Sequence, residues 1–197
     1  MNITIFDKTI LQVEKYNEQE QVRRSSLKEL IALGVNPYPA EEYKINNYST
    51  KIKQEFSNNE NKLQEVSIAG RLMTKRIMGK ASFAELKDSK GRIQLYFNRD
   101  EICPNEDKQA YNQIFKKLLD IGDIIGVKGE VFVTKVGEIS VLVKSFKLLS
   151  KSIKPLPVVK KDTDGKVYDE FKNTELRYRQ RSLDLIVNDE SWSVFEK

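Results

Sequence analysis

Four side chains in the middle of this chain have the types needed to read an unstacked nucleobase: Arg76, Phe83, Gln94 and Glu138. A phenyl ring is a flat surface on which a base can stack, worth about 1–3 kcal/mol per base. A carboxamide offers both a donor and an acceptor. A guanidinium reaches a phosphate or a base edge, and a carboxylate accepts from a base amino or imino group. Each of these residues alone is ordinary surface. Their meaning depends on whether the elements that carry them bring them to one face.

Strand parity says that they can be brought together. From about Glu65 the apolar period changes from helical to alternating, and Val66, Ile68, Leu72 and Ile77 mark a long first strand. Its parity slips between Leu72 and Ile77, which predicts a bulge, after which Arg76 faces out. A second strand over Ser82–Lys87 turns Ala84 and Leu86 to the core and Phe83, Glu85 and Lys87 away from it. After the turn Asp88-Ser89-Lys90-Gly91, a third strand over Arg92–Asn98 buries Ile93, Leu95 and Phe97, so Arg92, Gln94 and Tyr96 point out. A helix is predicted over Glu106–Leu119, with Tyr111, Ile114, Phe115, Leu118 and Leu119 apolar. Strands over Asp123–Thr134 and Glu138–Leu149 follow, joined by a turn at Val136-Gly137. In the last strand Ile139, Val141 and Val143 point inward, so Glu138 and Ser140 point outward.

Three strands, a helix and two strands is the element order of a mostly β, five-stranded OB-fold barrel, with its helix between strands three and four. A different five-stranded barrel or an α+β sheet would also be consistent with that order. The outward faces of such barrels bind oligonucleotides.

The flanks read differently. Asn17–Leu33 predicts an N-terminal helix with Val22, Leu30, Ile31 and Leu33 on its apolar stripe, Gly34 as its C-cap, and Pro37 and Pro39 preventing continuation. A polar connector follows, with a short helix expected over Thr50–Phe56. Residues 151–169, with Pro155, Pro157 and a Thr163-Asp164-Gly165 turn, read as an exposed linker. The expected organisation is an N-terminal extension and connector over 1–60, a barrel over 61–150, and a linker with the start of a further unit over 151–197.

Composition narrows the chemistry. The 197 residues carry 34 Lys+Arg against 29 Asp+Glu, a net charge of +5, which suits a polyanionic partner. There is no histidine, and Cys103 is the lone cysteine, so histidine-dependent acid–base catalysis, an intrachain disulfide and the usual zinc sites are excluded. Asp7 and Lys8 interrupt the apolar start, so no signal-peptide core is expected; no run is long enough to span a bilayer, and a cytoplasmic location is the expectation.

Long stretches resemble one family in order. NEQEQVRRSSLKELIALGVNPYP is similar to the entry helix of class II lysyl-tRNA synthetases. AGRLMTKRIMGKASFAELKDSKGRIQLYF, Ala69 to Phe97, resembles the first three strands of their anticodon-binding domain. GDIIGVKGEVFVTKVGEISVLVKSFKLLSKSIKPLP resembles its remainder, and ELRYRQRSLDLIVND the segment leading into the catalytic domain. Aspartyl and asparaginyl enzymes share the fold, but the GKASF and VGEIS wording resembles the lysyl enzymes. The resemblance implies that Phe83 stacks on an anticodon base, that Gln94 and Arg76 read the central uridine, and that Glu138 reads a neighbouring uridine. It implies the anticodon stem-loop of tRNA(Lys) as partner, and a homodimeric parent enzyme that uses ATP and Mg2+ to attach lysine. This chain would lack the catalytic part and hold no cofactor of its own. A general single-strand-binding OB protein, or the anticodon-binding domain of an aspartyl- or asparaginyl-type synthetase, is the alternative.

Three details stand apart. Ser182 lies where the family commonly has tyrosine. Gly79-Lys80-Ala81-Ser82 faintly resembles a phosphate-binding loop, but Thr74 occupies the position of the required upstream glycine, and the segment joins two strands. Leu149-Ser150-Lys151-Ser152 resembles a loop of class I synthetases whose partner motif needs histidines.

Overall fold

The computed structural model describes residues 16–58, 65–157, 160–161, 167–168, 171 and 173–195. The reading of the first fifteen residues, the end of the connector and the Thr163-Asp164-Gly165 turn lie outside them. Contacts divide the chain into two units, one running to Lys154 and the other from Pro155.

In the first unit, α1 (Glu18–Ala32) starts where the Asn17 side chain accepts the Glu20 N–H at 2.8 Å. It ends at Gly34, whose φ of +74° continues the chain in a conformation that side chains disfavour. The expected apolar stripe is corrected here. Val22 and Ile31 are exposed, and the buried positions are Arg23, Ser26 and Leu30. Arg23 is buried at low cost because its guanidinium donates to the carbonyls of Ile121 (2.8 Å), Ser152 (3.1 Å) and Lys154 (3.2 Å). Next comes α2 (Ser49–Asn58), which buries Ile52 and Phe56.

The barrel follows: β1 (Val66–Met78), β2 (Ala81–Lys87), β3 (Arg92–Asn98), β4 (Ile124–Val133) and β5 (Ile139–Ser150). The strands close in the order β1-β2-β3-β5-β4, antiparallel except for the parallel β3–β5 pair. This is the OB-fold barrel that the element order predicts. The bulge falls at Met73, where the β1–β2 register shifts between Leu72 and Thr74. Ile77, expected inward, is exposed beyond the bulge. Between β3 and β4 stand a short α3 (Arg99–Ile102) and α4 (Ala110–Leu118). Helix α4 begins later than expected, because the Asp107 carboxylate takes the Gln109 N–H at 2.7 Å and starts the coil there. It is π-wound, its last turn closed by the Leu119 N–H on the Ile114 carbonyl. It plugs the barrel with Tyr111, Phe115 and Leu118, and the Phe115 ring stacks on Phe97 at 3.9 Å.

The end of α4 is held by cations, which suits carbonyls left without an intrahelical partner there. Lys151, expected in an exposed linker, has a fully buried ammonium. It donates to Leu118 O (2.8 Å), Asp120 (2.6 Å) and Asp123 (2.9 Å). Burial pushes the Asp123 carboxyl above its ordinary value, with Lys151 pulling the other way. Lys75 and Arg71 cap further carbonyls, Lys75 at Phe115 and Leu119 and Arg71 at Gly122.

The second unit has a two-stranded antiparallel ribbon, β6 (Lys160–Lys161) and β7 (Val167–Tyr168), then α5 (Thr174–Arg179), α6 (Arg181–Val187) and α7 (Asp189–Phe195). Buried Asp184 accepts from Arg177 at 2.8 Å and Arg181 at 2.7 Å, joining α5 to α6. Ser182 is exposed on α6.

Candidate nucleic-acid interface

The alternation of β2 and β3 places their side chains without ambiguity. Ser82, Ala84, Leu86, Ile93, Leu95 and Phe97 are buried, and Phe83, Glu85, Arg92, Gln94 and Tyr96 lie on the outer face. Register then aligns the outer residues into two rows that cross the sheet. Arg76 pairs with Phe83 and Phe83 with Tyr96; in the next row Thr74 pairs with Glu85, Glu85 with Gln94, and Gln94 with Ser140. Neighbouring strands lie about 4.8 Å apart and same-face rows about 7 Å, so the two rows form one patch of nucleotide dimensions.

The β4–β5 turn supplies its rim. Gly137 takes a φ of +84°, the Thr134 N–H meets the Glu138 carbonyl at 3.0 Å, and the Glu138 N–H meets Thr134 Oγ1 at 3.1 Å. Glu138 therefore sits in the turn just before β5, exposed, its carboxylate 3.5 Å from the Lys53 ammonium. An exposed pair of this kind is worth about 0–1 kcal/mol, so a ligand displaces it at little cost.

Arg76, Phe83, Gln94 and Glu138 all line one open concavity of about 700 Å³. Thr74, Met78, Glu85, Arg92, Thr134, Val136 and Lys53 complete its wall. The Arg76 side chain is exposed and makes no hydrogen bond or ion pair among the described residues, so its guanidinium is uncommitted. Phe83 is half-buried rather than fully turned to solvent. Its ring leans on Tyr96 at 5.1 Å, and Tyr96 in turn meets Phe132 edge-on at 5.8 Å. Three aromatic rings thus run across the outer face. Glu85 and Arg92 neutralise each other at 2.9 Å. Ser140 lies in the same row as Gln94 but is fully buried, where parity alone expected an outward residue open to solvent.

Lys53 also lines the concavity, although its place in the sequence is the short helix expected within the connector. The Asp88 carboxylate accepts the Ser49 N–H (2.6 Å) and hydroxyl (2.8 Å), fastening the start of α2 to the β2–β3 turn and carrying Lys53 to the rim. No local pattern announces that bond, which joins residues 39 apart in the chain. Tyr96 was legible as an outward residue, but its partnership with Phe83 and Phe132 depends on register. Neither resembling loop is a phosphate site: Ser82 is buried against the Tyr111 hydroxyl at 2.7 Å, and Lys151 is the buried cation described above. Among the described residues no group of three or more His, Cys, Asp or Glu side chains could hold a metal ion, and no helix is long and apolar enough to cross a membrane.

Residues 66–149 match the model of the tRNA anticodon family, an OB-fold nucleic acid binding domain. The barrel is similar to that family over the span of its five strands. Over nearly its whole length the chain is also similar to lysine–tRNA ligases. It is 56% identical to that of Porphyromonas gingivalis over 188 residues, 95% of this chain and 32% of the ligase. Against that of Christiangramia forsetii it is 54% identical over 185 residues, 94% of this chain and 32% of the ligase. Against that of Azobacteroides pseudotrichonymphae it is 57% identical over 181 residues, 92% of this chain and 36% of the ligase. The matched part is the N-terminal region of those ligases, so the chain spans about a third of the length of the relatives it matches.

Proposed function

We propose that this chain is the anticodon-binding region of a lysine–tRNA ligase and that its concavity takes the anticodon loop of tRNA(Lys). The observation that carries this reading is the convergence of Arg76, Phe83, Gln94 and Glu138, from three strands and a turn, on one open concavity. Phe83 stacks on an anticodon base. Gln94 and Arg76 read the central uridine, and Glu138 accepts from a neighbouring uridine whose ring N–H is a donor. The +5 charge supplies attraction to phosphates. In this reading residues 61–150 are the binding domain, residues 1–60 an extension whose Lys53 reaches the site, and residues 151–197 lead toward the ligase's catalytic region. The parent enzyme is a cytoplasmic homodimer that joins lysine to its tRNA with ATP and Mg2+.

The test is a competition assay. A labelled lysine anticodon stem-loop is bound to the chain and challenged with unlabelled stem-loop or with an unrelated single strand of equal length. The reading expects the stem-loop to compete far better. Equal competition would replace anticodon recognition with general single-strand binding.

A further inference from the structure

We infer that Ser140 is a positioning residue that fixes which end of the Gln94 carboxamide faces the RNA, so that this position selects a base carbonyl and rejects a base amino group. The inference rests on the anticodon reading above. Ser140 is wholly buried, and its hydroxyl donates to Gln94 Oε1 at 2.8 Å across the parallel β3–β5 register. The same hydroxyl lies 3.3 Å from the Glu138 carbonyl, but that carbonyl already accepts the Thr134 N–H at 3.0 Å. A hydroxyl has one proton to give, and the shorter contact with the less committed acceptor takes it.

The consequence follows from carboxamide chemistry. A free glutamine presents its oxygen or its nitrogen with equal ease, because the two ends have the same shape. With Oε1 held by Ser140, the Nε2 amino group is the end turned into the concavity lined by Gln94, Phe83 and Arg76. An amino group donates, so it pairs with the O4 carbonyl of uracil and meets the N4 amino group of cytosine donor to donor. Pyrimidine discrimination at this position is therefore set from beneath the surface, by a side chain that the RNA never touches. The outer aromatics cannot supply it, since stacking tolerates every base.

The experiment measures, at one salt concentration, the affinities of the chain for two stem-loops that differ only in having uridine or cytidine at the central anticodon position. Ser140→Ala should lower the uridine-over-cytidine ratio about fivefold, the worth of roughly one net hydrogen bond, because the amide is freed to turn over. Ser140→Thr, which keeps the hydroxyl, should hold the wild-type ratio. In a Gln94→Ala background Ser140→Ala should leave the ratio unchanged, since Ser140 acts only through Gln94. The inference is overturned if wild type discriminates and Ser140→Ala keeps its ratio, or if both affinities fall in parallel as they would from structural damage. It is also overturned if Ser140→Ala still shifts the ratio without Gln94. If wild type itself shows no preference between the two loops, the assignment of Gln94 to the central base falls, and this inference with it.

Discussion

Phe83→Ala separates stacking from packing. The ring lies on the outer face, half-buried, in contact with Tyr96 at 5.1 Å, and its neighbours in the strand, Ser82 and Ala84, take the core side. Removing it forfeits one aromatic contact, worth about 0.5–1.5 kcal/mol beyond area burial, and part of the burial of a phenyl group. A cost of about 1–2 kcal/mol follows, a fall in melting temperature of no more than about 8 °C in a chain of this size. On the binding side the stacked base loses about 1–3 kcal/mol, roughly fivefold to a hundredfold or more in affinity. Phe83→Trp and Phe83→Tyr should retain most binding, because stacking needs a flat π surface. Thermal melts and stem-loop titrations on the same preparations report both quantities. A melting temperature lowered well beyond that limit, with binding lost in parallel, would make Phe83 a structural residue. Unchanged affinity in a well-folded variant would remove it from the interface.

Other consequences are open to simple measurements. Gln94→Ala and Glu138→Ala should relax base choice by about 1–3 kcal/mol each, judged by analogy with direct base readout, while lowering overall affinity less; stem-loops with substituted anticodons measure this. Affinity should fall with salt with a logarithmic slope of about −0.7 per phosphate contacted, and a flat titration would mean that no phosphate is engaged. Lys151→Met should destabilise the barrel by about 3–5 kcal/mol, because it leaves buried Asp123 without its cation; denaturant melts read this, and a loss below about 1 kcal/mol would show that water reaches the site.

How much was visible in the sequence depended on whether the cause was local. In β2 and β3 every second residue is buried, so the outward placement of Phe83 and Gln94 followed from alternation alone. The slip of parity between Leu72 and Ile77 located the bulge that turns Arg76 outward, because one inserted residue must invert the faces beyond it. Alternation failed where a polar group is buried by a distant partner. Arg23 replaces a hydrophobic position on α1 because carbonyls of Ile121, Ser152 and Lys154 receive it, and Lys151 is buried in a stretch whose prolines and lysines suggest exposure. Lys53 escaped notice for the same reason, since the Ser49–Asp88 bonds that bring α2 to the rim join segments far apart in the chain. The π winding of α4 has no counterpart in the apolar spacing, which suits either kind of helix.

The most direct test of the whole account is an amide chemical-shift titration of the chain with the lysine anticodon stem-loop. A second concavity of similar size, about 690 Å³ and lined by Asn46, Lys128 and Lys144 among others, provides an internal control. The largest shifts should fall on Arg76, Phe83, Gln94 and Glu138, with those around Lys128 and Lys144 nearly still. Shifts concentrated on the second concavity, with the four residues unmoved, would contradict it.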